Sequence, residues 1–262
     1  MARGIQGRLW LGLAGWAGAA ALLAAIASCG ESTTPGPART LAHASPLLVT
    51  DSELWERLPP NTIALTYDDG PDTYSLALAQ YLASESIPAT FFVVGCRIQG
   101  QTTSGSTVCS EPAHFPASIL GEYVALGHRI GNHTLHHWNV TTLSPRTLHD
   151  ELAATQAILD PVIADGVYIF RAPGHAWNGS AAQAVRQFPD LDKLWGSYSG
   201  GIDKEDWSCA DPAAGSHPNM TPEACAQLYV NAIDASNTHG GVLNLHDRNS
   251  GSLGTDFQVR LT

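Results

Sequence analysis

Basic residues are scarce in this 262-residue sequence, which has 13 Lys and Arg against 24 Asp and Glu and a formal net charge of −11. A nucleic-acid partner is excluded, because binding phosphates needs a basic surface, and acidic membrane surfaces are disfavoured for the same reason. Charged residues make up only 14% of the chain and hydrophobic residues 44%. That apolar fraction is too high for a disordered chain, and the length fits one large domain or two small ones.

A long apolar run is present only near the N-terminus. Arg3 and Arg8 give this segment a positive start, and the residues from Leu9 to Ala27 are almost wholly apolar, with small residues at the end. This pattern predicts an export signal over residues 1–28. The run is also long enough to cross a bilayer, so an uncleaved anchor remains an alternative.

The end of the export signal carries a second pattern. Ile26-Ala27-Ser28-Cys29 resembles a bacterial lipobox, which predicts lipidation of Cys29 and a place in the cell envelope. Ordinary cleavage after Ala27, with simple secretion, is the rival interpretation. Residues 29–60 are rich in Ser, Thr, Pro and Ala and are expected to form a flexible tether before a domain over residues 61–262.

Cysteine is also infrequent, with five residues in the chain. With Cys29 set aside, an even number remains, which in an exported chain suggests two disulfides. Three pairings are open; the sequence-local one joins Cys96 to Cys109 and Cys209 to Cys225. A zinc site built from all four competes with this pairing, but their spacing lacks a C-x2-C pair.

Short apolar runs alternate with longer helical patterns along the rest of the chain. The predicted strands are 62–67, 90–94, 128–131, 167–171, 194–197 and 241–245. The predicted helices are 74–85, 116–126, 145–159, 179–187 and 222–235. This alternation predicts an α/β fold of parallel βαβ units, either an open doubly wound sheet or an irregular β/α barrel.

Residues that can carry chemistry fall at the ends of the predicted strands. These groups are Asp68-Asp69-Gly70-Pro71, His133 to His137, Arg171 to Gly174, Asp203 with Trp207, and His246-Asp247. Each group alone also fits a turn, a cap or a surface ion pair. Because the carboxyl ends of parallel strands meet at one rim, their recurrence there predicts a functional site.

One carboxylate and two imidazoles make a three-ligand site for a divalent cation, with positions open for water and substrate. His133 and His137 are four residues apart, which turns both rings to one side of a helical turn, although His136 could replace His137. This donor set favours zinc, with cobalt, nickel or iron as substitutes. Asp68 and Asp69 fit one metal ligand and one group that reaches the water activated by the metal.

Two further residues complete the chemistry of a hydrolase. An imidazole acid at His246 could protonate a leaving amine while a carboxylate acts as base. Arg171, together with a dication, would offset the repulsion between the two adjacent carboxylates.

The five groups, taken in order, resemble the motifs of polysaccharide deacetylases with a NodB homology domain, carbohydrate esterase family 4. Thr66-Tyr67-Asp68-Asp69-Gly70-Pro71 is similar to the family's Thr-Phe-Asp-Asp-Gly-Pro, and His133-Thr134-x-x-His137 to its His-Ser/Thr-x-x-His. Arg171-x-Pro173, Asp203…Trp207 and Leu245-His246-Asp247 resemble its third, fourth and fifth motifs. The resemblance covers roughly residues 61–248.

This resemblance implies a distorted (β/α)7 barrel. Only 15 residues follow Asp247, so the barrel is expected to be incomplete at its C-terminal end, unless residues 257–261 form a final strand.

The resemblance also implies roles for individual residues. The implied metal ligands are Asp69, His133 and His137. The implied catalytic residues are Asp68 as general base, His246 as general acid, Asp203 as its charge partner and Arg171, which positions Asp68. The implied substrate pocket consists of Tyr67, Pro173, Gly174, Trp207, Asn244 and Leu245. Thr134 would brace the metal loop by a hydroxyl hydrogen bond.

The third and fifth motifs depart from the family pattern. The family's third motif continues Arg-x-Pro-Tyr-Gly, whereas Gly174 and His175 follow Pro173 here. The backbone N–H of residue 174 would still stabilise an oxyanion, and His175 or Trp177 would fill the place of the lost aromatic wall. Asn244 lies where the family often carries a Leu that lines the methyl pocket.

The resemblance implies a metal-dependent hydrolase that removes acetyl groups from N-acetylated glycans, such as chitin oligomers or peptidoglycan. An O-acetyl esterase acting on a xylan-like polysaccharide and a non-catalytic carbohydrate-binding homologue are the alternatives. We expect an exported monomer whose partner is the acetylated polysaccharide and whose only membrane contact is the lipid anchor.

Overall fold

A computed structural model describes residues 58–98, 115–199, 201–209, 217, 219–247 and 261–262. The expected export signal, nearly all of the tether, Cys29 and Cys109 lie outside these residues. The chain divides into two units, Met1–Ala42 and His43–Thr262, and every described residue belongs to the second. In the described part of the chain, none of the helices has the length and hydrophobicity needed to cross a bilayer.

Parallel strands carry the fold. They are β1 (Ile63–Gly70), β2 (Ala89–Val93), β3 (Arg129–Asn132), β4 (Tyr168–Ile169), β5 (Leu194–Trp195), β6 (Ile202–Asp203) and β7 (Gly241–His246). Five of them form a sheet in the order β3-β2-β1-β7-β6, and β4 pairs with β5. A parallel bridge between Asn132 and Phe170 links the end of β3 to the residue after β4.

The strand order is that of a distorted β/α barrel, as predicted. Successive strands from β1 to β5 are neighbours, and β7 returns to pair with β1 from Ile63↔Gly241 to Asp68↔His246. The interruption that the described residues show lies between β5 and β6, which no described ladder joins. The expected gap at the C-terminal end is therefore not seen at β7. Of the alternative final strand over residues 257–261, only Leu261 lies among the described residues, and it is buried in the main core.

The helices lie between the strands, and three of them begin at the predicted residues 145, 179 and 222. They are α1 (Ser75–Ser84), α2 (Ser118–Ala125), α3 (Pro145–Leu159), α4 (Gly179–Val185), α5 (Asp206–Cys209) and α6 (Pro222–Ala235). The hydroxyls of Ser144 and Thr221 cap α3 and α6, each accepting a backbone N–H at 3.2 Å, and a proline follows each cap.

Alternation along the strands separates an apolar face from a polar one. Tyr67, Phe91 and Leu245 pack with residues of α1, α2 and α6 in the main hydrophobic core, where the rings of Tyr67 and Phe91 stack at 5.2 Å. A second core joins α3 and α4 to Phe170 and Leu194. The strand residues between these apolar positions point the other way and build the site.

Candidate active site

Asp69, His133 and His137 converge at the carboxyl ends of β1 and β3. The Asp69 Oδ1 atom lies 3.3 Å from His133 Nε2 and 2.9 Å from His137 Nε2. One donor atom from each of the three residues lies within 4.8 Å of the others. Three donors this close, one carboxylate oxygen and two imidazole nitrogens, fit a divalent cation of the zinc type.

The hydrogen bonds of His133 support a cation between these donors. Its Nδ1 donates to the carbonyl oxygen of Arg171 at 2.9 Å, so in the neutral ring the Nε2 lone pair faces Asp69. A lone pair opposite a carboxylate is stabilised by a cation held between them. Burial disfavours the Asp69 carboxylate, but the neighbouring His133 and His137 rings outweigh the burial and hold the pKa of Asp69 well below its usual value.

Glu151 of α3 holds the loop that presents the two histidines. Its buried carboxylate accepts the backbone N–H of Leu135 at 3.1 Å and that of His136 at 2.8 Å, and it contacts the His136 ring Nδ1 at 2.5 Å. The predicted brace is also present, because the Thr134 hydroxyl accepts the N–H of His137 at 3.2 Å. His136 is thus turned to Glu151, and His137 is the second imidazole beside Asp69.

Arg171 is fully buried and holds Asp68 through one nitrogen. Its Nη1 has two N–H groups and lies within hydrogen-bond distance of three acceptors, Asp68 Oδ1 at 2.7 Å, Thr66 Oγ1 at 2.8 Å and Asn244 Oδ1 at 2.7 Å. The guanidinium carbon also lies 4.3 Å from the centre of the Phe92 ring. This leaves the other Asp68 oxygen, Oδ2, on the side of His133, 3.8 Å from its Nε2.

The carboxylate that is hydrogen-bonded to His246 is Asp206. The prediction that Asp203 is the charge partner of His246 was therefore wrong. Asp206 Oδ1 lies 2.7 Å from His246 Nδ1, and Asp206 Oδ2 accepts the backbone N–H of His246 at 2.9 Å. Asp206 begins α5, and its side chain is buried against β7. The bond to Nδ1 turns the Nε2 atom of His246 away from Asp206.

Asp206 also determines the charge of His246. Burial lowers the pKa of a histidine, but the charge of Asp206 and its hydrogen bond, with further attraction from Asp69 and Asp68, raise the pKa of His246 to about 10. The ring is therefore an imidazolium at neutral pH in the metal-free protein.

Asp203 belongs instead to a polar cluster with His175 and Asn244. The Asn244 amide nitrogen donates to Asp203 Oδ2 at 3.2 Å and lies 3.1 Å from His175 Nε2. Burial raises the pKa of a carboxyl, but hydrogen bonds from His175, the Glu205 backbone N–H and Asn244 lower that of Asp203 to about 2. His175, one of the two candidates for the missing aromatic wall, thus lies at the site.

Two predicted pocket residues face the core instead. Tyr67 and Leu245 are 0% and 2% exposed among the apolar side chains of the main core, because side chains alternate along β1 and β7 and the neighbours of these two residues point to the site. Trp177, the other candidate for the aromatic wall, is buried in the second core against Phe170. The assignment of Tyr67 and Leu245 to the substrate pocket was therefore wrong, and Trp177 does not form the aromatic wall.

The other predicted pocket residues stay near the polar rim. Pro173 is buried and Gly174 adopts a left-handed conformation with φ of 57° in the turn that follows Arg171. Asn244 is buried beside Arg171. Trp207 is 38% exposed on α5, next to Asp206.

One predicted disulfide is confirmed. Cys209 and Cys225 are bonded, with their Cα atoms 6.1 Å apart, and join α5 to α6. Cys96 is disulfide-bonded and buried, and its expected partner, Cys109, lies outside the described residues. The observed bridge rules out a zinc site made from four free cysteines.

Comparison with known proteins shows the family to which this chain belongs. A family profile described as polysaccharide deacetylase matches residues 56–189, which include the metal triad and Arg171. The chain belongs to the polysaccharide deacetylase family. The matched range ends before Asp206 and His246, which the fold brings to the same rim.

Individual relatives within this family are distant. The chain is 27% identical to chitin deacetylase 1 of Cryptococcus neoformans over 70% of its own length and 37% of that protein's length. It is 27% identical to a peptidoglycan-N-acetylglucosamine deacetylase of Bacillus cereus over 74% and 76% of the two chains. A family 4 acetyl xylan esterase from Clostridium thermocellum, solved with cobalt, shares the fold at a TM-score of 0.55, with 24% identity over 76% of this chain and 80% of that one.

Asp247 is a buried member of the family site that the catalytic roles leave unassigned. Its carboxylate occupies the space beside Gly70, where a Cβ would come within 2.1 Å of it, so any side chain at position 70 would displace this carboxylate. Its backbone N–H donates to the Asp68 carbonyl at 3.1 Å. Burial, with added repulsion from Asp69, raises the pKa of Asp247 to about 7.

Proposed function

We propose that this chain is a metal-dependent hydrolase that removes acetyl groups from N-acetylated glycans of the chitin or peptidoglycan type. The observation that carries the proposal is the convergence of Asp69, His133 and His137 beside a carboxylate, Asp68, and an imidazolium, His246. A cation-binding triad next to one general base and one general acid provides the groups that hydrolysis of an amide requires.

Each residue has a role that its contacts support. A cation held by Asp69, His133 and His137, most suitably zinc, would supply an activated water and polarise the acetyl carbonyl. Asp68 would act as the base and accept a proton at Oδ2, because Arg171 occupies Oδ1.

The second half of the reaction needs a proton donor and an oxyanion donor. His246 gives its Nε2 proton to the leaving nitrogen, since Asp206 holds Nδ1 and keeps the ring charged. The backbone N–H of Gly174 is the expected donor to the oxyanion that develops on the acetyl oxygen.

A second candidate is hydrolysis of O-acetyl esters on a xylan-like polysaccharide. The observation behind it is a departure from the family pattern, because the polar cluster of Asn244, His175 and Asp203 lies where an apolar wall is expected around the acetyl methyl group. An ester also needs less acid assistance at the leaving oxygen. The charged state of His246 favours the amide, because a leaving amine must be protonated.

The proposed site of action is outside the cytoplasm. The apolar segment over residues 1–28, the lipobox-like cysteine at position 29 and the buried disulfide between Cys209 and Cys225 support export. We propose a monomer in the cell envelope, held by a lipid on Cys29, with the acetylated polysaccharide as its partner.

The test is an acetate-release screen with zinc-loaded or cobalt-loaded protein on chitin oligomers, peptidoglycan fragments and acetylxylan. We expect acetate from the N-acetylated substrates and none after chelation. Release from acetylxylan alone would replace the first proposal by the second. Binding of a glycan without acetate over hours would identify a non-catalytic homologue.

A further inference from the structure

Trp138 directly follows the metal-site residue His137, and the proposed chemistry does not use it. Its side chain is 38% exposed, although an indole gains more than most side chains from burial. A single exposed apolar residue is ordinary on a protein surface, so its exposure alone carries nothing. What distinguishes Trp138 is the way in which its ring is held.

The Trp138 ring lies nearly parallel to the ring of His136. Their centres are 4.5 Å apart and their planes differ by 17°. One indole face is therefore covered by an imidazole, and the opposite face is the one that a ligand would use. Glu151 fixes the His136 ring in turn, with the 2.5 Å contact to Nδ1 and the hydrogen bond to the backbone N–H.

The chain on the other side of Trp138 is equally fixed. The Asn139 side chain accepts the Thr141 backbone N–H at 3.0 Å, and Val140 is buried in the second core. Trp138 thus projects from a loop anchored before and after it, and its side chain meets solvent already oriented. A flat apolar face held in this way binds without an added ordering cost.

We propose that Trp138 is a stacking platform for a neutral pyranose ring, next in the glycan chain to the sugar that carries the reacting acetyl group. The axial C–H groups of a pyranose present a flat apolar face that an indole covers. Trp138 is one residue from His137, so a sugar on it lies within a ring or two of the metal site. This platform deepens the proposed function and rests on it for the identity of the ligand.

The test is calorimetric binding to zinc-loaded Asp68→Asn protein, in which turnover does not interfere, with chitopentaose and chitobiose that retain their acetyl groups. We expect Trp138→Ala to raise the Kd for the pentamer about 10-fold, as loss of one stacked ring does. The effect on the dimer should be smaller, and Trp138→Phe should keep most of the pentamer affinity. Trp195→Ala removes an indole that is 42% exposed on β5, outside the metal loop, and should leave both constants unchanged.

Equal Kd values for the parent and Trp138→Ala proteins would overturn the platform, as would an equal loss for dimer and pentamer or an absence of pentamer binding to the parent. Acetate release by the wild-type protein separates this outcome from the proposed function. Release without a role for Trp138 removes the platform alone. Binding that depends on Trp138, without release, keeps the platform and removes the hydrolase.

Discussion

A single guanidinium nitrogen connects three parts of the site. Arg171 Nη1 reaches Asp68 and Thr66 on β1 and Asn244 on β7, while its Nε donates to the Tyr198 carbonyl at 2.8 Å. A buried arginine is tolerated only when acceptors surround it. The network fixes one Asp68 oxygen, which is why we assign proton transfer to the other.

We expect Asp206, and not Asp203, to set the pKa of His246, the proposed general acid. Asp206→Asn removes the charge and the hydrogen bond that raise the pKa of His246, so we expect kcat to fall about 100-fold, in the range typical of acid catalysis. The basic limb of the pH profile should move to lower pH, because a ring with a lower pKa loses its proton earlier as the pH rises. Acetate release between pH 6 and 10 measures both effects.

Asp203→Asn is the matched comparison, because Asp203 contacts His175 and Asn244 rather than the His246 ring. A larger loss of kcat in this variant than in Asp206→Asn would contradict the assignment.

Asp247 should make stability depend on pH in a direction set by its raised pKa. The pKa of Asp247 is about 7 in the folded chain and 3.8 in the reference state, so its contribution is fully present below pH 3.8 and is lost as the pH rises to 7. Asp247→Asn removes this loss. The variant should gain about 4 kcal/mol of unfolding free energy relative to the wild type between pH 4 and pH 8.

Denaturant unfolding of metal-free wild-type and Asp247→Asn proteins at the two pH values measures this change. A constant difference between the proteins at both pH values would mean that the carboxyl does not titrate in this window.

The sequence predicted elements best where a cap or a buried face marked them. The predicted bounds 145–159 and 222–235 coincide with α3 and α6, because Ser144-Pro145 and Thr221-Pro222 define their starts. β6 and α5 have only two and four residues, too few for a hydrophobic period. Because the sequence did not predict the one-turn helix α5, it also did not point to Asp206 at its start.

The alternation of side chains along β1 and β7 was sufficient to predict which of their residues face the pocket. Tyr67 lies between Thr66 and Asp68, and Leu245 between Asn244 and His246, so period two alone places both in the core. The three residues of the candidate metal site could be predicted because two imidazoles at a spacing of four are visible in the sequence. The Asn244, His175 and Asp203 cluster joins residues far apart in the chain and needed the fold.

Glu151 of α3 is expected to support metal binding without touching the metal. Glu151→Ala would leave the N–H groups of Leu135 and His136 without their acceptor and loosen the loop that carries His133 and His137. We expect zinc affinity to fall 10-fold to 100-fold, as for other supporting residues of metal sites. Competition with a chromogenic chelator measures the affinity.

The control is Asp150→Ala, which removes the exposed neighbour of Glu151 on the same helix. Zinc affinity should not change in this variant. Equal affinities in the Glu151→Ala and wild-type proteins would remove the supporting role.

The bridge between α5 and α6 is expected to stabilise the fold mainly through the unfolded chain. Cys209 and Cys225 are 16 residues apart, and closing a loop of this length contributes about 3 kcal/mol. Cys209→Ser with Cys225→Ser should lower the free energy of unfolding by that amount. Denaturant unfolding in oxidising buffer measures it, and an unchanged midpoint would show that the bridge adds nothing.

At the scale of the whole molecule, the order of the strands brings the residues of the candidate site together. The carboxyl ends of β1, β3, β6 and β7 meet at one rim because all the ladders are parallel, and residues separated by up to 178 positions, Asp68 and His246, become neighbours. We expect the net charge of −11 to disfavour the binding of strongly anionic polymers.

The most direct measurement is the zinc content of the purified protein after loading and dialysis, compared with a His133→Ala, His137→Ala variant of equal circular dichroism. The account predicts one tightly held zinc per wild-type chain and none in the variant. A wild-type chain that retains no divalent metal, or a variant that retains as much as the wild type, would contradict it.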